Sequence, residues 1–274
     1  MPAREARAAF EREVQHPEDR IDLARAALLV ARGEYAQISV EGYLSRLDQL
    51  AEETRDRLGG EGAPLLVLKE LIALLFQRHG FRGNREAYYD PRNSYLSDVL
   101  DRRTGVPLTL GIVLLEVGWR LGLPIEGVNF PGHFLVRFRG EEISLLIDPF
   151  DAGRVRFESE AQELLDRVYG GMVRVQPSFL RSAGKRDMLM RLLTNLKGVY
   201  LNVGDDERAL AAVDWILCIH PTAAGEIRDR GTLLARMGRT REALEQLEWY
   251  LGSVPEAADA GRIRALVEEL KGEG

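Results

Sequence analysis

Apolar positions in the first third of the chain recur at helical spacing. Ile21, Leu23, Ala24, Ala27, Leu28 and Ala31 share one helical face, and Tyr43, Leu44, Leu47, Leu50 and Ala51 form a second stripe after a start at Ser39 or Glu41. Residues 4–79 therefore read as helices separated by short breaks. A polar, Gly-containing stretch, HGFRGNREAYYDPRN, leads into a short helix with its start signal at Asp90 or Asn93 and Pro91 in its first turn. In the next segment, TGVPLTLGIVLLEVGWRLGLP, Pro107 suits the first helical position and the pattern is apolar nearly all round. Such a helix belongs in the middle of a domain.

The period then switches from helical to two. IEGVNF predicts a short strand, and HFLVRFR and EISLLID predict two longer ones joined at Gly140-Glu141, with Gly opening a type II′ turn. That loop sets Arg139 opposite Glu142, so that Phe134, Val136 and Phe138 oppose Ile147, Leu145 and Ile143 on one apolar face. The other face pairs Leu135 with Leu146, Arg137 with Ser144, and His133 with Asp148.

The last part of the chain repeats. Gly204 and Gly238, Ala209-Leu210 and Ala243-Leu244, and Pro221 and Pro255 are each 34 residues apart, the period of the tetratricopeptide helix-turn-helix unit. VGDDERAL and MGRTREAL carry the same order of features: a Gly turn, a polar helix start, then a small residue where two helices approach closely. The predicted organisation is a helical region plus core over 1–155, a connecting segment over 156–188, and repeats over 189–222 and 223–256 followed by a capping helix, the last three making up 189–274. The fold class is α+β, mostly α.

Composition narrows the function classes. At 45% hydrophobic and 29% charged the chain reads as a soluble globular protein. A net charge of −6 with both signs mixed along the chain argues against direct nucleic-acid binding. The amino terminus lacks the apolar core of a secretory signal, and the longest apolar run, PLLVLKELIALLF from Pro64, is interrupted by Lys69 and Glu70 and is too short to span a bilayer. A single cysteine, Cys218, fits a reducing compartment, so a cytoplasmic location is expected. His16, His79 and His220 lack metal-ligand spacing, and no phosphate loop or dinucleotide fingerprint is present, so no metal or cofactor is expected.

The candidate chemistry is the His133–Asp148 pair. Directly opposed on antiparallel strands, the two Cβ atoms would lie about 4.5–5.5 Å apart, close enough for the carboxylate to fix the imidazole tautomer and leave the other ring nitrogen as a base. A structural reading stands beside it, in which His133 is a satisfied buried histidine and Asp148, before Pro149, ends the strand. Asn93 and Arg103 read either as a helix cap and an ion partner or, with Pro107, as residues of a binding groove. Trp215, Trp249 and Tyr250 read as packing between repeat helices.

A central helix followed by GLP and by strands bearing His and Asp resembles the transglutaminase (papain-like) core. More closely, NSYLSDVLDRRTGVPLTL, EGVNFPGHFLVRF and LLIDPFDAG resemble the bacterial SirB-type proteins, which join a transglutaminase-like domain to tetratricopeptide repeats. EYAQISVEGYLSRLDQLA, NLKGVY and RDRG extend the resemblance over nearly the whole chain. It implies that His133 and Asp148 match the histidine and aspartate of the family triad, and it puts Pro107 in the place of the cysteine. Thr109 is the remaining hydroxyl nearby, although at the third helical position it tends to bond its own helix end. The resemblance thus implies a non-catalytic regulatory or adaptor protein that binds a protein or peptide through its repeats. The alternative is an amide hydrolase or acyl-transfer enzyme using His133 and Asp148 with Thr109 or water as nucleophile.

Overall fold

A computed structural model describes residues 2–60 and 62–272. The chain divides into two compact units, Met1–Leu192 and Leu193–Gly274.

The first unit begins with four helices, α1 (Pro2–Val14), α2 (Leu23–Glu34), α3 (Val40–Leu58) and α4 (Pro64–Ile72). The Asp22 side chain caps α2 by accepting the Arg25 N–H at 2.9 Å, and Ser39 caps α3 through the Gly42 N–H at 3.1 Å. Gly59, in the left-handed region with φ of 69°, ends α3. α4 runs on into a π-helical turn over Ala73–Arg78. A one-turn 3-10 helix, Pro91–Asn93, starts at Asp90 and precedes α5 (Leu96–Arg102).

The central helix is α6 (Pro107–Arg120), in which every residue from Pro107 to Gly118 is buried. Its one carboxylate, Glu116, is also buried. Burial pushes the Glu116 carboxyl above its ordinary range, and the Arg120 guanidinium at 2.5 Å with the Ala24 N–H at 3.0 Å holds it back. Glu116 thereby ties α6 to the start of α2.

The sheet has five antiparallel strands: β3 (Ile125–Val128), β4 (Leu135–Arg139), β5 (Ser144–Asp148), β6 (Arg154–Phe157) and β7 (Ser182–Ala183), in the order β6-β5-β4-β3-β7. Separately, the two-residue strands β1 (Arg82–Gly83) and β2 (Thr104–Gly105) pair in parallel. α6 packs directly on the main sheet because it carries glycine where the chain is closest. A Cβ on Gly111 would stand 2.5 Å from the Phe134 ring, and one on Gly118 would collide with Ile125. The opposite face is covered by α7 (Ala161–Tyr169), where Leu164 and Leu165 join Val128, Phe130, Leu135 and Leu146 in one buried cluster.

The hairpin forms between the predicted segments with a different register. Val136 pairs with Ile147, Arg137 with Leu146, Phe138 with Leu145 and Arg139 with Ser144. Each residue of β4 is therefore shifted by two along its partner. The cause is the turn: Gly140 N–H bonds Ile143 C=O at 2.8 Å, which leaves Glu141 and Glu142 as the loop, and Gly140 does not adopt positive φ. A shift of two preserves which side chains share a face, so the apolar face survives.

The stretch 156–188 does more than connect. It contains the end of β6, then α7 and β7, all within the first unit. β6 inverts the usual pattern: Val155 and Phe157 are exposed, while Arg156 is buried at 3% exposure.

α8 (Lys185–Val203) contains the division between the units. The second unit continues with α9 (Asp206–Ile219), α10 (Ala224–Arg236), α11 (Thr240–Ser253) and α12 (Ala260–Gly272). Gly204 and Gly238 occupy equivalent turns with φ of 74° and 71°. Ala209 and Ala243, also equivalent, are wholly buried. The helices are further linked by ions: Lys197 reaches Glu226 at 2.7 Å and Asp229 at 3.0 Å, and Asp259 receives Arg228 at 2.8 Å and the Tyr250 hydroxyl at 2.5 Å.

Candidate functional site

His133 sits in the turn before β4, and Asp148 is the last residue of β5, where its strand partner is Arg154. The two are not opposed in the ladder, as the predicted register had them, yet their side chains meet: His133 Nε2 lies 2.8 Å from Asp148 Oδ1. The same oxygen accepts the backbone N–H of Phe150 at 3.0 Å and of Asp151 at 3.1 Å, because a one-turn 3-10 helix over Pro149–Asp151 folds its free N–H groups back onto it. Burial would raise the Asp148 carboxyl, but the hydrogen bond and charge of His133 and these two N–H groups outweigh it and hold the carboxyl below its ordinary range. An ionised Asp148 makes Nε2–H the donor, which places the lone pair of the neutral ring on Nδ1.

His133 and Asp148 open onto a cavity of about 190 Å³. Its other walls are Arg85, Phe150, Asp151, Leu164, Arg167 and Val168. Phe150 meets the His133 ring edge-on with centroids 6.1 Å apart, and Arg85 lies over the Phe150 ring at 5.0 Å. Gly83 permits this arrangement, since a Cβ there would run into the Phe150 ring. No wall residue carries a hydroxyl, thiol or amine.

Thr109 is elsewhere. It is wholly buried, and its hydroxyl donates to Asn93 C=O at 2.7 Å and accepts the Val106 N–H at 3.2 Å. It is therefore a helix-start residue whose one hydroxyl proton is committed. Asn93 is also wholly buried: its amide donates to Ala87 C=O at 2.7 Å and Tyr88 C=O at 3.1 Å and accepts from Asn84 at 3.0 Å. Pro107 is buried at the first position of α6. Arg103 ends α5 in the left-handed region with φ of 55°, donates to His79 C=O at 3.1 Å, and lines a different cavity of about 160 Å³ with His79, Glu53 and Arg46. The structure thus brings His133 and Asp148 together and places Asn93, Pro107 and Thr109 in the packed start of α6. Cys218, in α9, has its thiol 3.3 Å from Asp214 C=O.

Sequence reasoning missed Arg85, Phe150 and Arg167 of the cavity wall, which come from three separate elements, the loop after β1, the 149–151 turn and α7, and none of them carried a local signal. Among the described residues, no group of three or more His, Cys, Asp or Glu side chains could hold a metal, and no helix is long and apolar enough to cross a membrane.

A central helix behind an antiparallel sheet, a His–Asp pair at the sheet's end and a following set of paired helices define a transglutaminase-like protein with tetratricopeptide repeats. Comparison with known families agrees: the transglutaminase-like superfamily model matches residues 41–194, and a tetratricopeptide repeat model matches 196–268. A UPF0162 protein of Xylella fastidiosa strain Temecula1 is 35% identical over 93% of this chain and 92% of its own length. A UPF0162 protein of Vibrio cholerae is 28% identical over 92% and 93%, and UPF0162 protein YchA of Escherichia coli K12 is 30% identical over 87% and 88%. The chain belongs to this UPF0162 family of SirB-like bacterial proteins.

Proposed function

We propose that the protein is a non-catalytic adaptor or regulator that uses a transglutaminase-like scaffold and binds a protein or peptide partner through its repeat unit. The observation that carries this reading is the lining of the His133 cavity. It pairs an imidazole base with an orienting carboxylate and offers no hydroxyl, thiol or amine for the imidazole to activate. Thr109, the nearest candidate by sequence, spends its hydroxyl on Asn93 and Val106. Tetratricopeptide helices support the binding half of the reading, since stacked helix pairs present extended surfaces to peptides. Leu201, Val203 and Trp249 are apolar side chains left exposed in that unit.

Affinity capture with the full chain from its native cell, read by mass spectrometry, tests the proposal. The expected result is a partner retained by His133→Ala and Thr109→Val and lost on Val203→Glu or Trp249→Ala, with each variant's fold checked by circular dichroism. A covalent adduct with an amide or ester probe that disappears in Thr109→Ala overturns the reading. So does hydrolysis of such a probe that disappears in a folded His133→Ala.

A further inference from the structure

A second histidine–carboxylate pair lies away from His133. His79 Nε2 stands 2.8 Å from Glu53 Oε2, and Glu53 Oε1 accepts from Arg57 at 3.1 Å. The hydrogen bond from His79 holds the Glu53 carboxyl below its ordinary range. Both residues line the cavity of about 160 Å³ whose floor is Leu50, Phe81 and Leu100. Its remaining walls are Arg46, Gln49 and Arg103. Two departures from regular backbone converge here. In the π-helical turn over Ala73–Arg78, His79 N–H bonds Leu74 C=O at 2.9 Å and Phe81 N–H bonds Leu75 C=O at 3.0 Å, and this wider turn delivers His79 and Phe81 to the cavity. Arg103 holds φ of 55°, a conformation that glycine or asparagine adopts more cheaply. Local costs of both kinds persist where a side chain must be aimed at a ligand.

The charges of the wall do not cancel. Arg46 is spent on the Asp101 carboxylate and on Leu100 C=O. Arg103 donates to His79 C=O at 3.1 Å and has no carboxylate partner among the described residues. Its side chain is exposed on the cavity rim, so its other donors are open to a ligand. With His79 neutral, two arginines on the wall face one carboxylate. Counting the partners Asp101 and Arg57 as well, three arginines face two carboxylates, and one positive charge is left over either way.

We propose that this cavity binds the carboxylate end of a small apolar molecule, with the carboxylate on Arg103 and the tail on Leu50, Phe81 and Leu100. One surplus charge matches a monoanion, and a guanidinium fork takes a carboxylate through two parallel N–H groups. The apolar floor gives the tail a surface to cover. Pockets for drug-sized ligands run to about 300–1,000 Å³. A cavity of about 160 Å³ therefore admits a tail of only a few carbons. His79 is already fixed by Glu53, so the wall is in place before the ligand arrives. The carboxylate belongs either to a free acid or to the carboxyl terminus of a peptide ending in an apolar residue. This site belongs to the first unit and stands whether or not the repeat unit takes a partner.

Calorimetric titration of the full chain at constant ionic strength provides the test. The probes are 4-methylpentanoate, its amide, acetate, inorganic phosphate and an amino-blocked tripeptide ending in leucine. Saturable one-site binding of 4-methylpentanoate or the tripeptide is expected. It should be at least about tenfold tighter than binding of the amide, which lacks the charge, and of acetate, which lacks the tail. Arg103→Gln should weaken it at least about tenfold. Gln49→Glu, at an exposed rim position, should weaken it as well by setting a like charge beside the ligand, so the outcome does not depend on whether Arg103→Gln folds. Arg85→Gln, on the wall of the His133 cavity, should leave it unchanged. A tripeptide that binds more tightly than 4-methylpentanoate assigns the carboxylate to a chain end; equal or weaker binding assigns it to a free acid. The proposal is overturned if neither carboxylate probe binds, if the amide or phosphate binds as tightly, or if affinity is unchanged in both Arg103→Gln and Gln49→Glu.

Discussion

Asp148 Oδ1 accepts three hydrogen bonds, one from His133 Nε2 at 2.8 Å and two from the backbone just beyond it. The pair closes the end of β5 as well as lining the cavity. His133→Ala is therefore expected to lower the unfolding free energy by about 1–3 kcal/mol, the cost of leaving a buried partner short of a hydrogen bond. Denaturant unfolding of the two proteins measures it.

The same pair sets a pH dependence. The Asp148 carboxyl is held below its ordinary value of 3.8 in the folded chain. A carboxyl depressed on folding stabilises the protein above its unfolded value, and that stabilisation is lost as the pH falls through the folded value. Stability should thus decline on acidification below 3.8 more steeply in the parent than in Asp148→Asn. Thermal unfolding followed from about pH 6 to about pH 2 checks the sign; equal slopes would remove Asp148 from the account.

Thr109→Val should destabilise by about 1–3 kcal/mol, because Asn93 C=O and Val106 N–H lose their shared hydroxyl inside the protein. Thr109→Ser keeps both bonds and should cost less. Unfolding curves of the pair separate a hydroxyl that fastens a helix from one that performs chemistry.

Two glycines in helices should respond in opposite directions to alanine. At Gly111 the added methyl meets the wholly buried Phe134 ring at 2.5 Å, so Gly111→Ala should cost about 1–3 kcal/mol. At Gly198, in α8, nothing lies within 4 Å, and Gly198→Ala should gain about 0.5–1 kcal/mol from backbone entropy alone. Melting temperatures of the two variants give the comparison.

What could be read in the sequence followed the strength of each local pattern. α6 was legible because Leu108 to Val117 leave almost no polar face, and the His133–Asp148 contact was legible because alternation fixes which residues share a side of the sheet. Alternation is blind to a shift of two, however, and the turn that decides it was misread: Glu141-Glu142 carries none of the glycine or asparagine that marks a tight hairpin. β6 was invisible for a stronger reason, since it buries Arg156 and exposes Val155 and Phe157. A pattern search that assumes apolar residues go inside reads RVRF backwards. The arginines that line the His133 cavity, Arg85 and Arg167, come from the loop after β1 and from α7, so that no single window contained them.

Asn93 and Thr109 together close off the start of α6. The start of α6 is sewn to Asn93 by the Thr109 hydroxyl, and the Asn93 amide is in turn bound within the 84–93 segment, with no exposed side chain between Val106 and Gly118. Replacing Pro107 by cysteine would supply the residue that the resemblance implies for that position without giving it a doorway. A thiol reagent offered to folded Pro107→Cys should pass it by, because reaching that position means unpicking the seam first.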